Sequence, residues 1–230
     1  MSAELVLTGA RAGYGTIEVL HGLDLTVPTG KVTALLGVNG AGKSTTLRVL
    51  AGVLPLRSGS LAWRGRTITR MSALDRARSG LMLVPDERAV FATLTVRENL
   101  QVVVEAIGQR NISPALEAFP RLHERLAQRA GTLSGGERRM LALARALLAR
   151  PKVLLVDELS LGLSPKVASE LFAWLATVAL GGTTVVLADQ YTKDALGLAD
   201  VVYVLHRGEC SFVGDPAELH PTTVSAAEPV

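Results

Sequence analysis

The segment that most constrains this chain is Gly37-Val38-Asn39-Gly40-Ala41-Gly42-Lys43-Ser44, a glycine-rich loop ending in Lys-Ser. It follows an apolar run, Val32 to Leu36, that reads as a buried strand, and it opens a helical pattern. Glycine is needed there because only a chain without Cβ atoms lets successive backbone N–H groups curl round a phosphate. The helix N-terminus adds the positive end of its dipole. Lys43 supplies a point charge to the β and γ phosphates, and the Ser44 hydroxyl is placed to ligate Mg²⁺. A strand, this loop and a helix in sequence predict nucleotide binding.

The rest of the chain fits an α/β frame around that loop. Leu5, Leu7, Val19, Leu23, Leu25 and Val27 alternate with polar residues, which predicts antiparallel strands near the N-terminus. Leu81–Val84, Val153–Val156, Thr184–Ala188 and Val201–Leu205 are short apolar runs like Val32–Leu36, and such runs predict a mostly parallel sheet covered on both faces. The middle is helical in character. Thr95-Val96-Arg97-Glu98 has capping-box spacing and opens a helix through about Ala106. Pro114–Phe119 and Arg121–Ala130 read as further helical pieces. Ser134-Gly135-Gly136-Glu137 is a second capping box, with a helix continuing to Arg150 and halted by Pro151. The expected organisation is a core of residues 1–85 and 151–220, a helical insert of residues 86–150 and a frayed tail, 221–230.

Composition narrows the class. Hydrophobic residues make up 48% and charged residues 20%, enough apolar side chains for a sizeable core. Lys and Arg number 24 against 21 Asp and Glu, and the resulting +3 is spread along the chain without the basic block of a nucleic-acid arm. The single Cys210 excludes an intrachain disulfide framework and a cysteine zinc site. Met1-Ser2-Ala3-Glu4 does not read as a secretory signal, so a cytosolic location is expected. Leu171–Ala188 runs without a charge, but Gly181-Gly182 inside it predicts a helix stop and then a strand rather than a membrane span.

Two further motifs bear on chemistry. Val153–Val156 ends in Asp157-Glu158. An acid at a strand's C-terminal edge suits Mg²⁺ held through water, and the adjacent Glu158 could orient and deprotonate an attacking water. Without the glycine-rich loop, the same acids would equally fit a strand reaching solvent. Leu133-Ser134-Gly135-Gly136-Glu137 is a helix N-terminus with a serine and two glycines, and it fits either a second anion site or a plain capped helix start.

In this order, the loop, the Ser-Gly-Gly-Glu signature and the Asp-Glu strand resemble the ATP-binding cassette family, over the chain to about Gly214. The resemblance implies a P-loop ATPase core with an antiparallel β subdomain and an inserted helical subdomain. It implies ATP and Mg²⁺ as ligands, with Gly37, Asn39, Gly40, Ala41, Gly42, Lys43, Ser44 and Thr45 around the phosphates. Tyr14 stands where family members stack an aromatic on adenine. Ser134, Gly135 and Gly136 would meet the γ-phosphate held by a second cassette subunit, identical or related, in a head-to-tail dimer whose interface Gly162 and Ser164 cross. Lys43, Glu158 and Gln190 would be catalytic, Gln190 standing where the family has its switch histidine. Ser44, Asp157 and Asp86 would serve the metal.

Val84-Pro85-Asp86-Glu87-Arg88, Phe91, Thr95-Val96, Glu98-Asn99-Leu100, Leu161-Gly162-Leu163-Ser164-Pro165 and Gln190 are similar to the branch that powers branched-chain amino acid import. That likeness implies integral membrane permease subunits as partners, docked near Asp86 to Leu94, and a peripheral position on the cytoplasmic face of the membrane. Four positions depart from the usual pattern. Asp86 replaces Gln or Glu, Arg139 replaces Gln, Leu159 replaces Pro and Ser164 replaces Asp. The departures leave Lys43, Ser44, Asp157 and Glu158 intact, so hydrolysis is expected. A soluble cassette ATPase acting on ribosomes or DNA is the alternative, as is another solute such as urea or an amide. A single cassette without a coiled-coil insertion or a basic face argues against nucleic acid.

Overall fold

The five apolar runs singled out above all lie in one sheet, four of them inside it and Leu81–Val84 at its edge. The structure is a computed structural model, and it describes residues 2–86, 89–190 and 192–219. The chain begins with a long hairpin of β1 (Ala3–Tyr14) and β2 (Ile17–Pro28), then β3 (Val32–Leu36) and α1 (Lys43–Leu50). Next come β4 (Ser58–Trp63), β5 (Arg66–Thr67), α2 (Ala73–Ser79) and β6 (Leu81–Val84). Four helices, α3 (Val96–Ala106), α4 (Ser113–Ala118), α5 (Pro120–His123) and α6 (Gly135–Leu148), lead to β7 (Val153–Asp157). After it run α7 (Pro165–Leu180), β8 (Thr184–Asp189), α8 (Lys193–Leu198), β9 (Val201–His206) and β10 (Glu209–Gly214).

The strands form two sheets. One is antiparallel, in the order β2-β1-β4-β5, and the other runs β10-β9-β3-β8-β7-β6. All neighbours in the second are parallel except the edge pair β9 and β10. Its central strands divide their side chains between two cores, as the period of two requires. Val32, Ala34, Leu36, Leu154, Val156, Val185 and Leu187 pack with α3, α6 and α7 on one face. Leu35, Val153, Leu155, Val186 and Ala188 pack with Leu5, Leu7, Leu25 and Leu47 on the other. The fold class expected from the sequence is the one observed.

Both capping boxes form. Thr95 Oγ1 accepts from the Glu98 N–H at 3.2 Å while Glu98 Oε2 accepts from the Thr95 N–H at 2.7 Å. Ser134 and Glu137 repeat the pattern at 3.2 and 2.9 Å. The helix expected over Arg121–Ala130 is shorter, ending at His123, with turns and a 3₁₀ segment at Ala130–Thr132 after it. The reason is competition for backbone groups. The Gln128 and Leu126 carbonyls accept from Val96 N–H (2.9 Å) and Arg97 N–H (3.1 Å), and Ala130 N–H donates to Leu94 O (2.9 Å). Those groups satisfy the open first turn of α3 and so cannot close a helix of their own. The α6 helix stops at Leu148, two residues short of Arg150, whose φ of +49° lies outside the helical region.

The charge-free stretch Leu171–Ala188 divides into the end of α7 and most of β8. Among the described residues no helix is long and apolar enough to cross a membrane. The tail 221–230, expected to fray, and Glu87-Arg88 lie outside the described residues.

Candidate functional site

The register of the parallel sheet decides which loops meet. Leu36 at the end of β3 pairs with Asp189 of β8, and Asp157 at the end of β7 pairs with Ala188. The glycine-rich loop, Glu158 and Gln190 therefore leave three adjacent strands at one edge. That is the crevice beyond the strand C-termini where open α/β sheets bind ligands.

The loop is built to leave N–H groups free. Half of the described α-helices close their first turn with a side chain, as Ser72, Thr95, Ser134 and Thr192 do for α2, α3, α6 and α8. The exceptions α4, α5 and α7 carry a proline in that turn. Only α1, among the described α-helices, has neither; its N-cap is Gly42, with φ +107°. An uncapped N-terminus behind three glycines has N–H groups free for an anion. Thr45 is buried in its first turn, and Ala41 is buried beneath the loop.

Lys43 is 3% exposed, and its Nζ donates to the carbonyls of Gly37 (2.8 Å) and Val38 (3.1 Å). Burial pulls its pKa down, while Glu158, Asp157 and Asp189 push back in favour of the charge. Ser44 Oγ donates to Asp157 Oδ1 at 2.9 Å, joining the loop to the acidic strand end. Burial raises the Asp157 pKa against this hydrogen bond. A hydroxyl and a carboxylate oxygen in contact are hard donors of the kind Mg²⁺ takes, and Mg²⁺ needs only one or two such groups when phosphates complete its shell. Accordingly, no group of three or more His, Cys, Asp or Glu is placed to hold a metal by itself among the described residues.

Glu158 adopts a left-handed backbone, φ +46°, with its N–H donating to Ala188 O at 2.7 Å. Burial raises its carboxyl pKa; Lys43 lowers it, and Asp157, Asp86 and Asp189 raise it further. Gln190 turns toward the loop, its Nε2 reaching Asn39 Oδ1 at 3.4 Å. Tyr14 is 42% exposed, and its hydroxyl accepts from Arg48 Nη1 at 2.8 Å. The Arg48 guanidinium lies 5.9 Å from the ring centroid.

The signature residues lie elsewhere. Gly135 lines a cleft of about 500 Å³ with Asp86, Arg138, Arg139 and Leu161–Leu163, separate from the loop. At the N-terminus of α6, Ser134 caps and the Glu137 carboxylate already faces the first turn, with Arg125 Nε donating to it at 3.0 Å. The Ser134 N–H, then the Arg125 hydrogen bond, lower the Glu137 pKa. At Gly136 a Cβ would come within 3.0 Å of Val167 Cγ1, so α7 leaves little room for a side chain. The Asp86 carboxylate is engaged: Oδ1 accepts from Arg139 Nη2 at 2.8 Å.

Sequence reasoning passed over two groups. Asp189 is 2% exposed and accepts from Ser160 Oγ (3.1 Å) and from the Gln190 N–H (2.8 Å), which ties the segment after β7 to the Gln190 backbone. The signal was present, since Asp189 ends an apolar strand just as Asp157 does. Gly208, in the turn between β9 and β10, donates its N–H to Ala41 O at 3.0 Å and so braces the phosphate loop from behind. Nothing near it in sequence marks that role.

Residues 20–160, more than half of the chain, match the family described as ABC transporter. The chain is 43% identical over 204 residues to the high-affinity branched-chain amino acid transport ATP-binding protein BraG of Pseudomonas aeruginosa, covering 85% of each chain. It is 37% identical over 213 residues to the probable branched-chain amino acid transport ATP-binding protein LivF of Archaeoglobus fulgidus, covering 90% of each. In fold it resembles the ADP conformation of MJ1267, an ATP-binding cassette of an ABC transporter. The TM-score is 0.84 at 23% identity, over 98% of both chains.

Proposed function

Because this chain belongs to the ABC transporter family of ATP-binding proteins, we propose that it is the ATP-hydrolysing subunit of an importer for branched-chain or closely related amino acids. Its partners are integral membrane permease subunits and a second cassette. The chain itself sits peripherally, on the cytoplasmic side of the membrane. The two named relatives, both amino acid transport proteins, favour this reading over a cassette ATPase acting on ribosomes or DNA. The observation that carries the chemistry is the 2.9 Å contact between Ser44 Oγ and Asp157 Oδ1 beside the uncapped start of α1.

ATP enters with adenine against Tyr14 and its phosphates over the N–H groups of residues 37–45. Lys43 exchanges the Gly37 and Val38 carbonyls for phosphate oxygens, a charge-assisted contact that offsets its burial. Mg²⁺, held by Ser44 and through water by Asp157, would neutralise charge on the β and γ phosphates. Glu158 accepts a proton from water as the water oxygen bonds to the γ-phosphorus and the bond to the β–γ bridging oxygen breaks, leaving ADP and phosphate. Gln190, beside Asn39, faces the γ-phosphate. Ser134, Gly135 and Gly136 of the second cassette complete the site, as the family resemblance implies. Closure on ATP and reopening after hydrolysis drive the permease.

Lys43→Ala is expected to weaken ATP binding by roughly 10–100-fold, the value of one or two charge-assisted hydrogen bonds. In cells carrying only the variant, leucine uptake should fall to background. Calorimetric titration reads the first effect and labelled leucine the second. Unchanged ATP affinity would contradict the site. Lost ATP binding with intact leucine uptake would leave the ATPase standing and overturn the cargo.

A further inference from the structure

Arg139 is 7% exposed, and a guanidinium so deeply buried has to be matched by acceptors. It finds three, on two segments other than its own helix. Nη1 donates to Pro85 O at 3.0 Å, and Nη2 donates to Asp86 Oδ1 at 2.8 Å and to the Glu158 carbonyl at 2.5 Å. One side chain thus bridges the start of α6, the segment leaving β6 and the segment leaving β7. The third contact matters most, because Glu158 holds a left-handed backbone that residues with side chains seldom adopt. Its peptide N–H is fixed by Ala188 O at 2.7 Å on β8, and among the described residues its carbonyl is fixed from the α6 side alone, by Arg139. The direction of the Glu158 side chain follows from those two anchors.

Asp86 is the carboxylate among the three acceptors, and among the described residues it is the one acid paired with Arg139. The two positions depart from the usual pattern in complementary directions: arginine reaches farther than glutamine, and aspartate less far than glutamate. We propose that Arg139, held by Asp86, is a positioning residue for Glu158, and that Asp86 serves the reaction through Arg139 rather than at the metal. The pair acts as a clasp: the carboxylate fixes the guanidinium, and the guanidinium fixes the peptide that aims the acid. This rests on the reading of Glu158 as the group that activates water.

The test is steady-state ATP hydrolysis by the full chain carrying Arg139→Gln, Arg139→Lys, Asp86→Asn or the Arg139→Gln/Asp86→Asn pair, with thermal melting of each and Glu158→Gln alongside. Misaiming an acid acts on the transition state and spares ground-state binding. Arg139→Gln should therefore lower kcat by roughly tenfold or more, with KM for ATP within about twofold of wild type. Arg139→Lys keeps the charge but lacks the fork that reaches carbonyl and carboxylate together, so it should fall between the two. Asp86→Asn should also lower kcat, and the double variant should be no worse than Arg139→Gln alone, because both break one unit. Wild-type kcat in a folded Arg139→Gln or Arg139→Lys chain would overturn the clasp. So would losses that simply multiply in the double variant, or a raised KM with unchanged kcat in Asp86→Asn, the signature of a ligand to Mg·ATP. If Glu158→Gln itself kept wild-type turnover, the reading of Glu158 would fail instead, whatever the Arg139 variants did.

Discussion

Replacing Glu158 by Gln is expected to lower ATP turnover by a factor on the order of 10²–10⁴, the usual contribution of a general base. Mg·ATP affinity should remain within about twofold of wild type, since no contact proposed for the phosphates passes through this side chain. Glutamine has the same shape and keeps one oxygen, but it cannot take a proton. The environment suits the role. Burial first, then Asp157, Asp86 and Asp189, hold the Glu158 carboxyl above its ordinary range, with Lys43 pulling the other way. A base moved toward neutrality accepts a proton more effectively than a free carboxylate does. Single-turnover phosphate release beside nucleotide titration separates the two quantities. Wild-type turnover in the variant would remove Glu158 from the mechanism. Lost affinity with lost turnover would make it a binding residue.

The second large effect lies outside the nucleotide site. Gly208→Ala should destabilise the chain by about 2–4 kcal/mol or more and weaken ATP binding with it. The turn between β9 and β10 has two residues, Arg207 (φ +47°) and Gly208 (φ +79°), the pattern of a tight hairpin. A Cβ at 208 would stand 1.8 Å from Val19 O, a backbone atom of β2 that cannot rotate away. Gly208 also donates to Ala41 O (3.0 Å) and accepts from the His21 N–H (3.1 Å), so displacing the turn disturbs both β2 and the phosphate loop. Gly15→Ala is the control, since Gly15 has φ +55° and open space around it, leaving backbone strain alone. In thermal melts Gly208→Ala should lose several degrees more than Gly15→Ala, at roughly 2–4 °C per kcal/mol for a chain of this size. Equal losses in the two would show that the close approach to β2 is not what requires glycine.

These sites differ in how far the sequence revealed them. The phosphate loop, the two capping boxes and the Asp157-Glu158 strand end were legible because each is set by neighbours within a few positions. A strand, a turn and a helix start carry their own residue patterns. The helix over Arg121–Ala130 was misread because its carbonyls are spent on the first turn of α3, a tertiary choice with no local mark. Asp86 and Arg139 stand 53 positions apart, and Ser160 and Asp189 stand 29 apart; neither pair has a periodicity to betray it. Two of the departures from the usual pattern, separate positions in the sequence, meet in one ion pair beside Glu158. Gly208 was silent for the same reason: what it touches is the phosphate loop and the second strand, distant in the chain.

In the proposed mechanism one chain holds only half of each hydrolytic site. The direct measurement is phosphate release from Mg·ATP by the purified wild-type chain over a wide range of protein concentration, with Lys43→Ala as the blank. If a P-loop on one chain must meet Ser134 to Gly136 on another, the rate will rise more steeply than linearly with concentration and level to a constant rate per chain once pairing is complete. A rate per chain that is the same at every concentration, down to dilutions where no dimer is detected by light scattering, would contradict the two-chain site.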